Sequence, residues 1–234
     1  MARWQRDARR DVQPEPVADG PALPPHPILE PDAMLFLAEN GIETPIFMTA
    51  ATEDEAPFAA AGVGFPCVMK VVSPDILHKS ERGGVVVGIK NEADALAAFR
   101  EIKRRTAGAL FQGVIVYPMI RGSQEVLIGL SSDPQFGPVV AFGLGGIYTE
   151  ALKDVALRVA PVDHAEALEM IRSLKGYRIL AGARGQPACD LDALATILAR
   201  VSQLPFRYPQ IKELDLNPVF ASPLRPCAYA PTTG

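Results

Sequence analysis

Two β-branched runs, CVMKVV at 67–72 and VVVGI at 85–89, enclose a polar loop at 73–84. Their apolar content and their borders at Pro66 and Ser73-Pro74 predict a pair of strands, the first buried and interrupted by one cation, Lys70. Upstream, Met34, Leu35, Leu37 and Ala38 follow Glu30-Pro31-Asp32 and predict a helix that stops at Asn40-Gly41. A strand over 42–49 and a helix over 53–61, closed by Gly62-Val63-Gly64, come next. Downstream, Ala95, Leu96, Ala98, Phe99 and Ile102 fall at helical spacing and predict a helix over 92–106. Its basic end, Lys103-Arg104-Arg105, suits a helix C-terminus and reads as solvated. Strands are predicted over 113–120, 125–130 and 139–142, with turn chemistry at 131–138, and a β-type run surrounds Arg158. Helices over 163–174 and from an Asp190 cap to Leu204 precede a last strand over 211–219.

Composition places few limits on this picture. The 234 residues are 48% apolar and 21% charged, an ordinary balance with enough apolar content for a sizeable core. A net charge of −4 gives no general attraction to nucleic acid or to an anionic membrane, and no run approaches the ~18 apolar residues of a membrane span. A cytoplasmic protein is expected. The basic first ten residues lack a following apolar core, so they do not read as a secretory signal. Six prolines between Pro14 and Pro27 predict an extended, poorly ordered tail over 1–27, with His26 a solvated bystander. Cys67, Cys189 and Cys227 have no C-x-x-C spacing and imply neither a disulfide framework nor a zinc site.

Candidate chemistry concentrates in a few places. Lys70 in a buried strand needs an anion, which in a nucleotide enzyme is a phosphate; alternatively it snorkels from an edge strand. The loop that follows carries His78, Lys79, Ser80 and Gly83-Gly84, a composition that suits a mobile cover over an anion or a hairpin with one exposed histidine. Arg158 suits phosphoryl oxygens, or a salt bridge to Glu150 or Asp154. The Gly143-Leu144-Gly145-Gly146 stretch is either a phosphate cradle or a tight turn. His164, in a first helical turn, reads as capping or exposed. Strand alternation puts Glu213, Asp215 and Asn217 on one face, a set of hard oxygen ligands for Mg²⁺ or a polar outer face.

SPDILHKSERGGV at 73–85 closely resembles the loop of the ATP-grasp (β) subunit of NDP-forming acyl-CoA synthetases, the ADP-forming acetate–CoA ligases related to succinyl-CoA synthetase. EVLIGLSSDPQFGPVVAFGLGGIYTEALKDVALRVAP is similar to the family's segment almost position by position, and L-x-G-x-R-G at 180–185 and E-L-D-x-N-P at 213–218 add to the match. The resemblance covers residues 28–220 and implies an α+β ATP-grasp fold: a first lobe over 28–116, a second over 117–226 with the nucleotide between them, and a tail over 227–234. It implies a phosphohistidine relay through His78, aided by Lys79 and Arg158. Nucleotide contacts are implied for Lys70, Gly83, Gly84, Tyr117, Pro118, Met119, Ile120, Glu125, Gly145 and Gly146, and Mg²⁺ ligation for Asp215 and Asn217.

The implied cofactors are ATP/ADP and Mg²⁺. The implied partner is a CoA-binding α subunit in a heterotetramer, which would also bring in the CoA thioester and carboxylic acid. Consistent with that division, no G-x-G-x-x-G opens a first strand here. One departure matters: family members continue into a further strand with an aspartate, whereas no acid follows Asp215. A noncatalytic nucleotide-sensing or scaffold module, or a carboxylate–amine ligase that would not need His78, are the alternatives.

Overall fold

The computed structural model describes residues 12–14, 20–25, 27–76, 79–120, 123–145, 154–183, 187–223 and 227–228. His26, His78, Gly146, Glu150, Arg184 and most of the proline-rich tail therefore lie outside the described residues. In chain order the described elements are α1 (Glu30–Glu39), β1 (Met48–Ala50), α2 (Glu55–Val63), β2 (Cys67–Val72), β3 (Val85–Ile89), α3 (Glu92–Arg105), β4 (Gly113–Pro118), β5 (Gln124–Asp133), β6 (Gly137–Leu144), β7 (Val155–Val159), α4 (His164–Ser173), α5 (Tyr177–Leu180), α6 (Leu191–Arg207), β8 (Glu213–Ala221) and β9 (Cys227–Ala228). They form two compact units. One comprises Pro24–Leu35 and Thr44–Arg121, and the other gathers the segments up to Leu23, Phe36–Glu43 and from Gly122 onward.

In the first unit four antiparallel strands lie in the order β1-β4-β2-β3. Alternation turns Cys67, Met69 and Val71 of β2 and Val114 and Val116 of β4 toward α2 and α3, whose Ala56, Ala59, Ala60, Ala95, Phe99 and Ile102 complete a core. Lys70 pairs with Ile115 and Val68 with Tyr117, so Lys70 and Tyr117 lie on the other face of the sheet. Asn91 starts α3 by accepting a hydrogen bond from the Asp94 amide at 2.8 Å.

The second unit holds a five-stranded antiparallel sheet in the order β7-β6-β5-β8-β9. Val126, Ile128, Leu130, Val140, Phe142, Leu214 and Leu216 are buried from its strands, and Ala167, Met170, Leu194, Ile197, Leu198 and Val201 are buried from α4 and α6. Asp163 and Asp190 cap those helices, accepting from the amides of Glu166 at 2.7 Å and Ala193 at 2.9 Å.

Among the departures from the expected pattern, two concern the start of the chain. The strand expected over 42–49 is reduced to Met48–Ala50. Pro45 has no amide to give a ladder, and the Glu43 carbonyl accepts from Ala228 instead, at 2.8 Å. In α1, Leu35 is 54% exposed and Ala38 is exposed, while Phe36 takes a buried place edge-on to Tyr208 at 4.8 Å.

Candidate functional site

The face of the first sheet opposite its helices carries a charged cluster. Glu30, the first residue of α1, is only 2% exposed. Its Oε1 accepts from Lys70 Nζ at 3.1 Å and from the Tyr117 hydroxyl, and its Oε2 accepts from Lys79 Nζ. Lys70 also lies over the Tyr117 ring, 5.0 Å from its centre. Burial works to raise the Glu30 carboxyl, but Lys70 and Lys79 overrule it and hold the group below its ordinary value. Burial pulls the Lys79 ammonium below its ordinary value, with the Glu30 carboxylate working against that shift. The anion that Lys70 requires is thus supplied by the protein.

The glycines of the following loop serve packing. The Gly84 amide donates to the Lys79 carbonyl at 2.7 Å, and the Gly84 carbonyl accepts from Val71 at 2.8 Å. A Cβ at Gly84 would stand 2.5 Å from Val71 Cγ1. Gly83, at φ +69°, donates to the Ser80 carbonyl at 3.2 Å. Both amides are therefore engaged within the loop.

At the end of β4, Tyr117 is fully buried, and the Met119 amide donates to the Pro66 carbonyl at 2.9 Å, tying the segment after Pro118 to the chain before β2. Ile120 is half-buried beside it. In the second unit the Gly145 amide donates to the Glu125 carbonyl at 2.7 Å, and a Cβ at Gly145 would meet that carbonyl carbon at 2.9 Å. That close approach requires glycine.

Glu213, Asp215 and Asn217 alternate with buried Leu214 and Leu216 on β8, so all three sit on its accessible face. The part of Asp215 buried against the sheet pushes its carboxyl above the ordinary range. Register then separates Arg158 from this set. Asp215 pairs with Gly129, Gly129 with Ala141 and Ala141 with Leu157, whereas Arg158 pairs with Val140 on the opposite, helix-covered face. There Arg158 Nε stands 3.7 Å from a Glu166 carboxylate oxygen of α4, and its Nη1 donates to its own Leu157 carbonyl. Asp154, one of the partners that sequence offered for it, accepts instead from the amides of Lys175 at 3.1 Å and Gly176 at 2.8 Å. His164 is exposed, with Nε2 3.1 Å from the Asp192 carbonyl.

The structure thus brings Lys70, Lys79 and Tyr117 onto one carboxylate, and Asp215 and Asn217 onto one strand face. Glu30 is the residue that sequence reasoning missed. It reads as an ordinary acid in a first helical turn, and no spacing links it to lysines 40 and 49 residues away. The available signal was Lys70, a cation in an apolar strand, CVMKVV, that carries no acid of its own.

Two α+β units built on antiparallel sheets, one with a lysine strand and the other with an acid–amide strand, are the architecture of an ATP-grasp protein. The family model described as an ATP-grasp domain matches residues 26–229. The β subunit of ADP-forming acetate–CoA ligase I from Pyrococcus furiosus is 49% identical over 199 residues, covering 83% of this chain and 86% of that one. The ADP-forming acetate–CoA ligase I of Archaeoglobus fulgidus is 45% identical over 192 residues, which are 80% of this chain but 28% of that longer one.

Among solved structures, the dinucleotide-forming acetyl-coenzyme A synthetase 1 of Ca. Korarchaeum cryptofilum, in complex with coenzyme A and Ca-AMPCP, superposes with a TM-score of 0.83 at 39% identity, over 87% of this chain and 90% of that one. The same synthetase with Mg-AMPPCP, its phosphohistidine segment pointing towards the nucleotide-binding site, gives 0.73 at 36% identity, over 87% and 92%. This chain belongs to the ATP-grasp family, in the group of ADP-forming acyl-CoA ligase β subunits.

Proposed function

We propose that this chain is the nucleotide-binding β subunit of an ADP-forming acyl-CoA synthetase. The reaction is acyl-CoA + ADP + phosphate ⇌ carboxylic acid + CoA + ATP, run in the cytoplasm with a separate CoA-binding α subunit in a heterotetramer. The observation that carries the reading is the rooting of Lys79, the residue after His78, on the sheet face that also bears Lys70. Support comes from the β-subunit relative, which this chain matches over most of its length.

In this reading His78 takes a phosphoryl group from the partner on a neutral imidazole nitrogen. An N–P bond forms as the bond to the donor breaks. A terminal oxygen of ADP then attacks the phosphorus, the N–P bond breaks, and ATP leaves. Imidazole suits both halves because its reference pKa of about 6.5 leaves a neutral nitrogen at cellular pH. Backbone groups of Tyr117, Pro118, Met119 and Ile120 contact the adenine in this reading, and Glu125, Gly145 and Gly146 are further nucleotide contacts.

Asp215 and Asn217 fit a magnesium ion. They are two oxygen donors on neighbouring outward positions, and a carboxyl raised by burial is one that a divalent cation would return to its charged form. Among the described residues no cluster of three His, Cys, Asp or Glu could hold a metal, so phosphate and water oxygens would supply the remaining ligands. The ion would offset phosphate charge during transfer. The experiment for this reading is reconstitution. The isolated chain should bind Mg-ADP without consuming ATP in the presence of acid and CoA, and turnover should appear only with the α subunit. Robust synthetase activity of the chain alone would overturn the split.

A further inference from the structure

We propose that Glu30 is a positioning residue for phosphoryl transfer: its Oε2 accepts Lys79 Nζ and pins the segment 79–84 to the first sheet, one residue from the relay histidine. The proposal rests on the relay reading above. Its physical basis is a division of labour between the two carboxylate oxygens. Oε1 is held from within the sheet by Lys70 and Tyr117, whereas Oε2 is held from the loop.

One cation is enough to neutralise a buried carboxylate, and Lys70 supplies it from β2. Lys79 is a second cation brought in by the loop, and its side chain is only 10% exposed. What the second ion pair adds is location. Lys79 is tied by its side chain to Glu30 and by its carbonyl to the Gly84 amide, and the Gly84 carbonyl in turn receives the Val71 amide at 2.8 Å. In sequence Lys79 directly follows the histidine of the relay, so the anchor acts on that histidine's covalent neighbour. Lys79 then acts through the loop, and its ammonium is not spent on nucleotide phosphate.

The clean variant is Lys79→Met. It removes the loop's cation but leaves Glu30 paired with Lys70 and Tyr117, so the first unit keeps its fold. In the isolated chain the Gly84 and Val71 amides should then exchange with deuterium about tenfold faster or more, as expected when a charge-assisted anchor is lost. Lys79→Arg should restore slow exchange. With the α subunit, Mg²⁺ and γ-labelled ATP, labelling of His78 should slow about tenfold in Lys79→Met, with the dissociation constant for ADP unchanged. Glu30→Gln should shift both readouts in the same direction.

Unchanged exchange in Lys79→Met overturns the anchor, and a weakened ADP affinity with unchanged exchange would make Lys79 a phosphate ligand instead. Faster exchange with undiminished labelling would make the pair merely structural and overturns the positioning role. Absence of label in the wild-type chain would remove the relay itself, an outcome the exchange data distinguish from failure of the anchor.

Discussion

Glu30 keeps its charge in a place that exposes almost none of it because two ammonium groups and a phenol close around it. Its folded carboxyl is depressed, so the stability it contributes is present in full above the ordinary carboxylate range and is lost as pH falls through the depressed value. Glu30→Gln should therefore destabilise the protein at neutral pH by about 3 kcal/mol, since it leaves two half-buried cations without their carboxylate. The difference from wild type should shrink in acid, as followed by urea titration across pH.

Asp215 has the opposite sign. Burial raises its carboxyl, so ionisation costs stability as pH rises past the ordinary carboxylate value, and the cost is absent at lower pH. Asp215→Asn should slightly raise the melting temperature at neutral pH without metal, yet weaken Mg-ADP binding in calorimetry. Unchanged Mg-ADP affinity would give β8 a structural role only. Glu213, Asp215 and Asn217 were legible as one face because strand alternation has a period of two and needs no knowledge of the rest of the chain. Glu30 was not, because a contact between α1 and the loop after β2 depends on how the sheet is assembled.

At the scale of elements, glycine sets how closely the segment 79–84 packs on β2. Gly84→Ala places a methyl 2.5 Å from Val71 Cγ1 and 3.1 Å from the Lys79 carbonyl, so it should cost about 1–3 kcal/mol and speed exchange of the same amides. A melting temperature equal to wild type would show that the loop can withdraw from β2 freely. In the second unit, Leu198 on α6 is fully buried, and Leu198→Ala should cost about 2–5 kcal/mol by denaturant titration.

The run of β2 and the helix α6 were legible from periodicity and caps, since both bury one face. The length of β1 was not. An apolar run reads as a strand whether or not a ladder partner exists, and only the assembled chain sends the Glu43 carbonyl to Ala228. Arg158 shows the same limit more sharply: its β-type run was correctly placed, but which face a residue shares with a distant strand follows from register across β5 and β6.

At the scale of the whole molecule, the residues assigned to the reaction are divided between the two units, with Lys70, Lys79 and Tyr117 in one and Glu125, Gly145, Asp215 and Asn217 in the other. No helix among the described residues is long and apolar enough to cross a membrane. The single-chain relative is several times longer than the segment it shares with this chain. A relay through His78 is tested most directly by chemistry. With the α subunit, Mg²⁺ and γ-labelled ATP, the wild-type chain should acquire an acid-labile, base-stable label, and His78→Ala should abolish it while retaining ADP binding. A His78→Ala chain that still takes the label, or that supports normal turnover, would contradict the relay.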